Sequence, residues 1–465
     1  MPARLVNIDR STPMFLPPDL RDWVPQDHLV HFVLDAVEAL PLSQFRLNHR
    51  GTGSEQYPPR LLLALLIYSY ATGTFASRQI EALTHYDVAV RFLCANTHPD
   101  HDTLCTFRRE NKALLQETFV QVLQLAAELK LVRVGTVAID GTKVLANASK
   151  HSAVSYERAG QLIDELKLEV AQLMQKAESA DSTPLQDGLT IPAEIARRQQ
   201  RQAQLEQARR VIEQRAKDRA QAEQPEYQAK LEARQAKEQR GEKPGGRPPS
   251  PPDATPGPKE QYNFTDPESR IMKAGSSGHF EQAYNAQAAV DTESMLIVGQ
   301  HVSQAPNDKQ QLPPTLASIP AELGRPTSVL VDSGFYSEAA LRAVEVAAEG
   351  TTTGTTVYAA QGRAHHHRSV ADLEVRPEPT APPTGASLSE VMHHRIRSSL
   401  GQRLYRLRKQ TVEPVFGIIK EVLGFRRFLL RGWEKVSVEW TLVSVAWNLK
   451  RLAALGMGAK LAARV

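Results

Sequence analysis

Through the first quarter of the chain, apolar positions recur at three- and four-residue intervals, the pattern of helices with one buried face. LVHFVLDAVEAL at 29–40, LLLALLIYSYATG at 61–73 and SRQIEALTHYDVAVRFLC at 77–94 predict three such helices. The loop at 95–102 leads into another, which carries Arg108 and Arg109 and takes Asp102 as its N-cap. Residues 1–125 therefore read as a helical domain. The Ser-Arg-Gln after Gly73-Thr74-Phe75-Ala76 opens either a helix-turn-helix DNA reader, with Arg108 and Arg109 toward phosphates, or a plain bundle that serves dimerisation.

The pattern then turns strand-like. VGTVAID at 134–140 and TSVLVDSGFY at 327–336 are short runs rich in Val and Ile, each ending at an Asp closely followed by Gly. Such runs predict buried strands that deliver Asp140 and Asp332 to a sheet edge. The intervening 151–258 is a helical insertion. Over 154–178, Leu162, Leu166, Val170 and Leu173 form one stripe, predicting an amphipathic helix about 37 Å long at 1.5 Å per residue. Beyond Pro184 and Pro192 a mostly polar helix runs to about 223, and PGGRPPSPPDATPGP at 244–258 is an extended linker. Strands resume over 259–350, with Asp291 in a hairpin turn and Asp308 and Lys309 in a polar loop that can face DNA. Residues 351–391 read as irregular and 392–465 as closing helices. The expected fold is multidomain: a helical N-terminal domain and an α/β core, a mixed sheet flanked by helices, interrupted by a long helical insertion.

Composition narrows the class. At 465 residues with 41% hydrophobic and 23% charged residues, the chain holds two or three ordinary domains. Its two cysteines, Cys94 and Cys105, make no disulfide framework. No stretch predicts a membrane span: the most apolar window, 440–457, is interrupted by Asn448, Lys450 and Arg451. A soluble intracellular protein is expected. The net charge of +4 conceals an asymmetry, because residues 392–465 hold 15 Lys and Arg against 4 Asp and Glu, a balance of +11 that leaves −7 elsewhere. Such a basic segment suits a polyanion. His365, His366 and His367 are consecutive and far from any Cys pair, so a DNA- or solvent-facing loop is favoured over zinc.

The densest chemistry lies in YRLRKQTVEPVFGIIK, 405–420. In a helix, Lys409, Glu413, Phe416 and Lys420 share a face, with Tyr405 a turn before Lys409 and Arg406 and Arg408 nearby. A carboxylate among cations ligates a hard metal while its neighbours grip phosphates. Taken alone, Asp140 and Asp332 serve equally as turn or capping residues. With Glu413 they make three carboxylates from separate elements, a set suited to two Mg²⁺ or Mn²⁺ ions, which sit about 3.5–4 Å apart in two-metal phosphoryl-transfer sites.

On these residues the chain resembles the DDE transposases of bacterial insertion sequences, within the group carrying a Y-(2)-R-(3)-E-(6)-K signature and the subgroup named for insertion sequence eleven-eighty-two. Glu413 and Lys420 keep the second half of that signature. In the first half Arg408 keeps the gap from Tyr405, whereas Lys409 keeps the gap to Glu413. The likeness extends over YNFTDPESRIMKAG at 262–275 and YNAQAAVDTESMLIVGQHVSQAPNDKQQL at 284–312, as strands two and three of the core with their connection. It also covers HPDHDTLCTFRREN at 98–111 and GFRRFLLRGWEKVSVEWTLVSVAWNLKRL at 424–452. The resemblance implies an RNase H-like core whose first part is 134–150, with Asp140, Asp332 and Glu413 as catalytic metal ligands of two Mg²⁺ or Mn²⁺ ions. Tyr405, Lys420 and Arg408 or Lys409 would hold phosphates. It implies cleavage at transposon ends, transfer to target DNA, and double-stranded DNA as partner, both terminal inverted repeats and target, handled by a homodimer. A metal-dependent nuclease without strand transfer, and a catalytically decayed DNA-binding protein, are the alternatives.

Overall fold

The computed structural model describes residues 19–42, 56–179, 185–186, 188–241, 243, 245–274, 278–346, 352–362, 378–383 and 385–457. His365, His366, His367, Pro184 and much of 351–391 lie outside them. The chain divides into two compact units, one formed by residues 1–144 with 284–465, the other by 145–283.

The first unit opens with helices α1 (Leu29–Ala39), α2 (Pro59–Ala71), α3 (Ser77–Tyr86), α4 (Val88–Leu93), α5 (His101–Glu110) and α6 (Lys112–Glu128). Helix α2 is buried from Leu62 through Ala71, as an all-apolar helix must be. The single helix expected over 77–94 is two. Asp87 adopts extended backbone between α3 and α4, and its side chain accepts the Val90 N–H at 2.9 Å. A strong capping side chain in mid-pattern restarts the helix. The cap of α5 is likewise Asp100, which accepts from Thr103, not Asp102, which lies inside the first turn.

The sheet of this unit runs β6–β5–β1–β7–β8, with β1 Thr136–Leu145, β5 His279–Asp291, β6 Ile297–Ser303, β7 Ser328–Val331 and β8 Thr356–Ala359. Strand β6 is antiparallel to β5, whereas β7 is parallel to β1 and β8 parallel to β7. It is a mixed sheet flanked by helices, consistent with an RNase H-like core. Strands β5 and β6 are joined through the turn that follows Asp291. Strand β8 falls inside the stretch expected to be irregular; TVYA is too short for periodicity to reveal, and parallel pairing with β7 forms it. Helices α9 (Leu312–Ala317), α10 (Glu338–Glu345), α11 (Leu388–Arg397), α12 (Ser399–Gly417) and α13 (Trp433–Ala454) complete the unit. Helix α13 packs on α2, α6 and β6. Its Asn448 fastens to the backbone of Ile297, accepting from N–H and donating to C=O, both at 2.8 Å. That pairing is why a polar residue interrupts an otherwise apolar helix.

In the second unit β2 (Ala153–Ser155) pairs antiparallel with β3 (Gln261–Asn263), and β4 (Arg270–Ala274) with the first five residues of β5. Helices α7 (Tyr156–Glu178) and α8 (Ile191–Gln239) pack together over Ala159, Ile163, Leu205 and Ala208, with Leu162 and Leu166 partly buried beside them. Helix α8 runs well past the expected end near 223, through Pro225. The flanks are rich in Ala, Gln, Glu, Lys and Arg, strong helix formers, and around Pro225 the helix is exposed, so water satisfies the carbonyl that proline leaves unpaired.

Candidate active site

Strand pairing brings the first two carboxylates together. Ala138 pairs with Leu330, and extending that parallel register by two residues sets Asp140 level with Asp332. Asp332 directly follows β7 and caps the turn Ser333–Phe335, one oxygen accepting the Gly334 N–H at 2.8 Å. Asp140 lies within β1, which continues to Leu145 and does not end at the Asp-Gly step as expected. Gly141 is required there because a Cβ would stand 2.1 Å from Gln287 Nε2 and 2.6 Å from Asp308 Oδ1. The Asp-Gly pair thus marks close packing under a continuing strand.

The third carboxylate comes from α12, which packs against β7. A single guanidinium joins all three. Arg408 donates to Asp140 Oδ2 at 2.8 Å and to Glu413 Oε1 at 3.0 Å, and lies 3.7 Å from Asp332 Oδ2. Its side chain is 9% exposed, against 48% for Glu413. Burial pushes the Asp140 carboxyl up to about 7, the Arg408 charge works against this, and the Asp332 charge adds to it. Burial also raises the Tyr405 hydroxyl, with Arg408 opposing. Lys420 stands in a π-helical turn, Ile418–Val422, and its Nζ donates to the Lys143 carbonyl at 2.8 Å.

Residues 252–449 match the family model of a transposase DDE domain, and residues 18–110 match that of a transposase domain, DUF772. Two transposase domains indicate a DNA transposase. They support the DDE family. No curated protein and no solved structure matches the chain. Asp332 and Glu413 fall inside the DDE match, whereas Asp140 and the second unit up to residue 251 fall outside both matches.

Within the transposase, the expected signature residues separate. Arg408 turns inward to the carboxylates, and Lys409, about 100° farther round the helix, is exposed. Phe416 is buried beside Trp440 and does not share an open face with Lys409. Arg108 is not presented to DNA: it is buried, with Nη1 donating to the Tyr70 hydroxyl at 3.1 Å and Nη2 to Ser77. A bundle made of helices this apolar closes over the cation, and Tyr70 and Ser77 supply its partners. Arg109 is exposed beside Glu110. Asp308, expected only in a DNA-facing loop, stands next to Asp140 with Lys143, Asn285 and Gln287, which were not among the expected site residues, although Lys143 follows the Asp-Gly-Thr step directly.

Whether hard metal ions suit this arrangement is decided by the donor set. Three carboxylates from three elements crowd around one cation, an all-oxygen set of the kind Mg²⁺ and Mn²⁺ take. The burial that raises Asp140 is the cost that a divalent charge offsets. Among the described residues no three acidic, His or Cys side chains already converge on a common point, because the Arg408 guanidinium lies between them. The donor types fit hard metal ions, and in this arrangement Arg408 lies among them. No described helix is long and apolar enough to cross a membrane.

Proposed function

We propose that this transposase cuts DNA at transposon ends and joins the freed 3′-hydroxyl to target DNA, using Asp140, Asp332 and Glu413 to hold two Mg²⁺ or Mn²⁺ ions. The observation that carries the reading is the Arg408 guanidinium shared by these three carboxylates from β1, from the end of β7 and from α12. When bound, the ions supply charge stabilisation for the attacking and leaving oxygens. The remaining work belongs to the chain. Asp140 and Asp332 sit on neighbouring strands of a buried sheet, which fixes their separation. Glu413 approaches from the exposed side, where DNA enters. With metal held by the carboxylates, Arg408 would be free to turn to a phosphate, which its planar fork suits. Tyr405 and Lys420 flank the same site and would position the backbone, with Arg109 as an outlying contact. We assign the finer kinship to the YREK group with Arg408 in the arginine role. The DNA partner, homodimeric assembly on paired ends, and a division at 1–125, 134–150, 151–258, 259–350, 351–391 and 392–465 belong to the same proposal.

The test uses labelled duplex from the DNA flanking the gene, with wild-type protein and Asp332→Ala, each in Mg²⁺, Mn²⁺ and EDTA. Cleavage and joining by the wild type alone, only with metal, is the expected result. Cutting without joining identifies a nuclease, and binding without cutting by either protein identifies a decayed enzyme.

A further inference from the structure

A second polar cluster adjoins the carboxylates and is not used by them. Lys143 lies three residues beyond Asp140 on β1, with its ammonium nitrogen buried and without a hydrogen-bond partner. The closest anion, Asp308 Oδ1, stands 3.5 Å away, beyond ordinary N–H···O reach. That oxygen already accepts from Asn285 Nδ2 and Gln287 Nε2, each at 2.7 Å. Both amides come from β5 and are fully buried, so they fix Asp308 in place. Their own oxygens, Asn285 Oδ1 and Gln287 Oε1, are also unpartnered. The cluster is not closed on itself.

Lys420 adds a second ammonium, held by its bond to the Lys143 carbonyl. Burial disfavours the charged form of both lysines, and the Lys143 charge adds to that pressure on Lys420. Asp308, with Asp140 and Asp332 farther off, favours the Lys143 charge and Glu421 favours that of Lys420, but the nearest oxygen, Asp308 Oδ1, is already shared with two amides. An arriving anion with several acceptor oxygens would offset the cost of keeping both charges here.

We infer that Lys143 is a phosphate-holding residue of this site, acting with Lys420 on the DNA backbone beside the bond that is cut, while Asp308 is a positioning residue that fixes its approach. The inference rests on the transposase reading above. The competing role for Lys143 is a structural ion pair with Asp308. The two do pair at 3.5 Å, but the buried Lys143 ammonium keeps no hydrogen-bond partner, and that leaves it donors for a further ligand.

Full-length wild-type, Lys143→Gln and Lys143→Arg proteins would be titrated with fluorescent flanking duplex in EDTA over a range of salt. Losing one phosphate contact lowers the slope of log K against log salt by about 0.9. Lys143→Gln is expected to lose that much slope and Lys143→Arg to keep the wild-type value. A structural ion pair instead predicts a lower melting temperature for Lys143→Gln with its slope unchanged, and that result overturns the inference alone. Salt-independent or absent binding by the wild type overturns the DNA reading with it. If Lys143→Gln does not fold, Lys143→Met, which keeps the stem without burying an amide, takes its place.

Discussion

Among the described residues, two carboxyl groups are driven to about 7 by burial, and they answer to it differently. Asp140 borders a cation and stands where a divalent ion would replace that cation. Glu439 is wholly enclosed, accepts the N–H groups of Leu429 and Leu430 at 3.0–3.1 Å, and lies 3.5 Å from the Tyr70 hydroxyl. It serves the fold. Its folded value of about 7 exceeds the ordinary 4.5, so between these pH values the folded state keeps a proton that the unfolded chain has released. Stability therefore falls as pH rises from about 4.5 to 7, by an amount on the order of 3 kcal/mol. Glu439→Gln should flatten that part of the stability–pH curve, as measured by denaturant unfolding in EDTA. A curve of unchanged steepness would place the proton elsewhere. Arg408 shows what residue-level reading reaches: the sequence spacing left Arg408 and Lys409 equivalent, and only the direction of each side chain separates them.

At the scale of elements, the site depends on how β1, β7 and α12 are held, and α13 holds the sheet from its other end. The Asn448 amide supplies both hydrogen bonds that the Ile297 backbone needs at the start of β6. Asn448→Ala leaves a buried N–H and C=O unpaired, which costs about 1–3 kcal/mol for each such group. Equilibrium unfolding should register a loss of about 2–6 kcal/mol on the same principle, with Asn448→Asp at least as harmful. Trp440 and Trp447 donate to the carbonyls of Gln287 and Met295, so the helix is fastened at three points along one strand pair. None of this was legible beforehand, since an Asn in an apolar helix looks like an interruption. The strand runs themselves were legible, because Val- and Ile-rich stretches buried on both faces leave an unmistakable composition. The end of β7 at Asp332 was legible too, but that of β1 was not. An Asp-Gly step suggests a turn, yet in β1 the glycine answers crowding by Gln287 and Asp308.

For the whole molecule, the basic charge and part of the chemistry share one segment, since residues 392–465 hold Arg408 and Glu413 as well as the +11 balance. That balance includes exposed cations such as Arg403, Arg406 and Lys409, which do not depend on the carboxylates. Asp332→Ala should consequently bind flanking duplex in EDTA within about threefold of wild type, less than the tenfold that 1.4 kcal/mol represents, while losing cleavage; fluorescence anisotropy measures the first. A collapse of binding would mean that Asp332 organises the DNA surface as well. By itself the sequence determined the helical start, the Val-rich strands, the amphipathic α7, the basic C-terminal segment and the three acidic candidates. These follow from periodicity, composition and residue chemistry, which are local. Tertiary structure alone decided that Asp140 and Asp332 stand level across β1 and β7, that Arg408 and not Lys409 joins the three carboxylates, that Arg108 is enclosed, and that Lys143 meets Asp308. Each of these depends on strand register or on which side of a helix is covered, and register and coverage are set by contacts between residues as many as 268 positions apart.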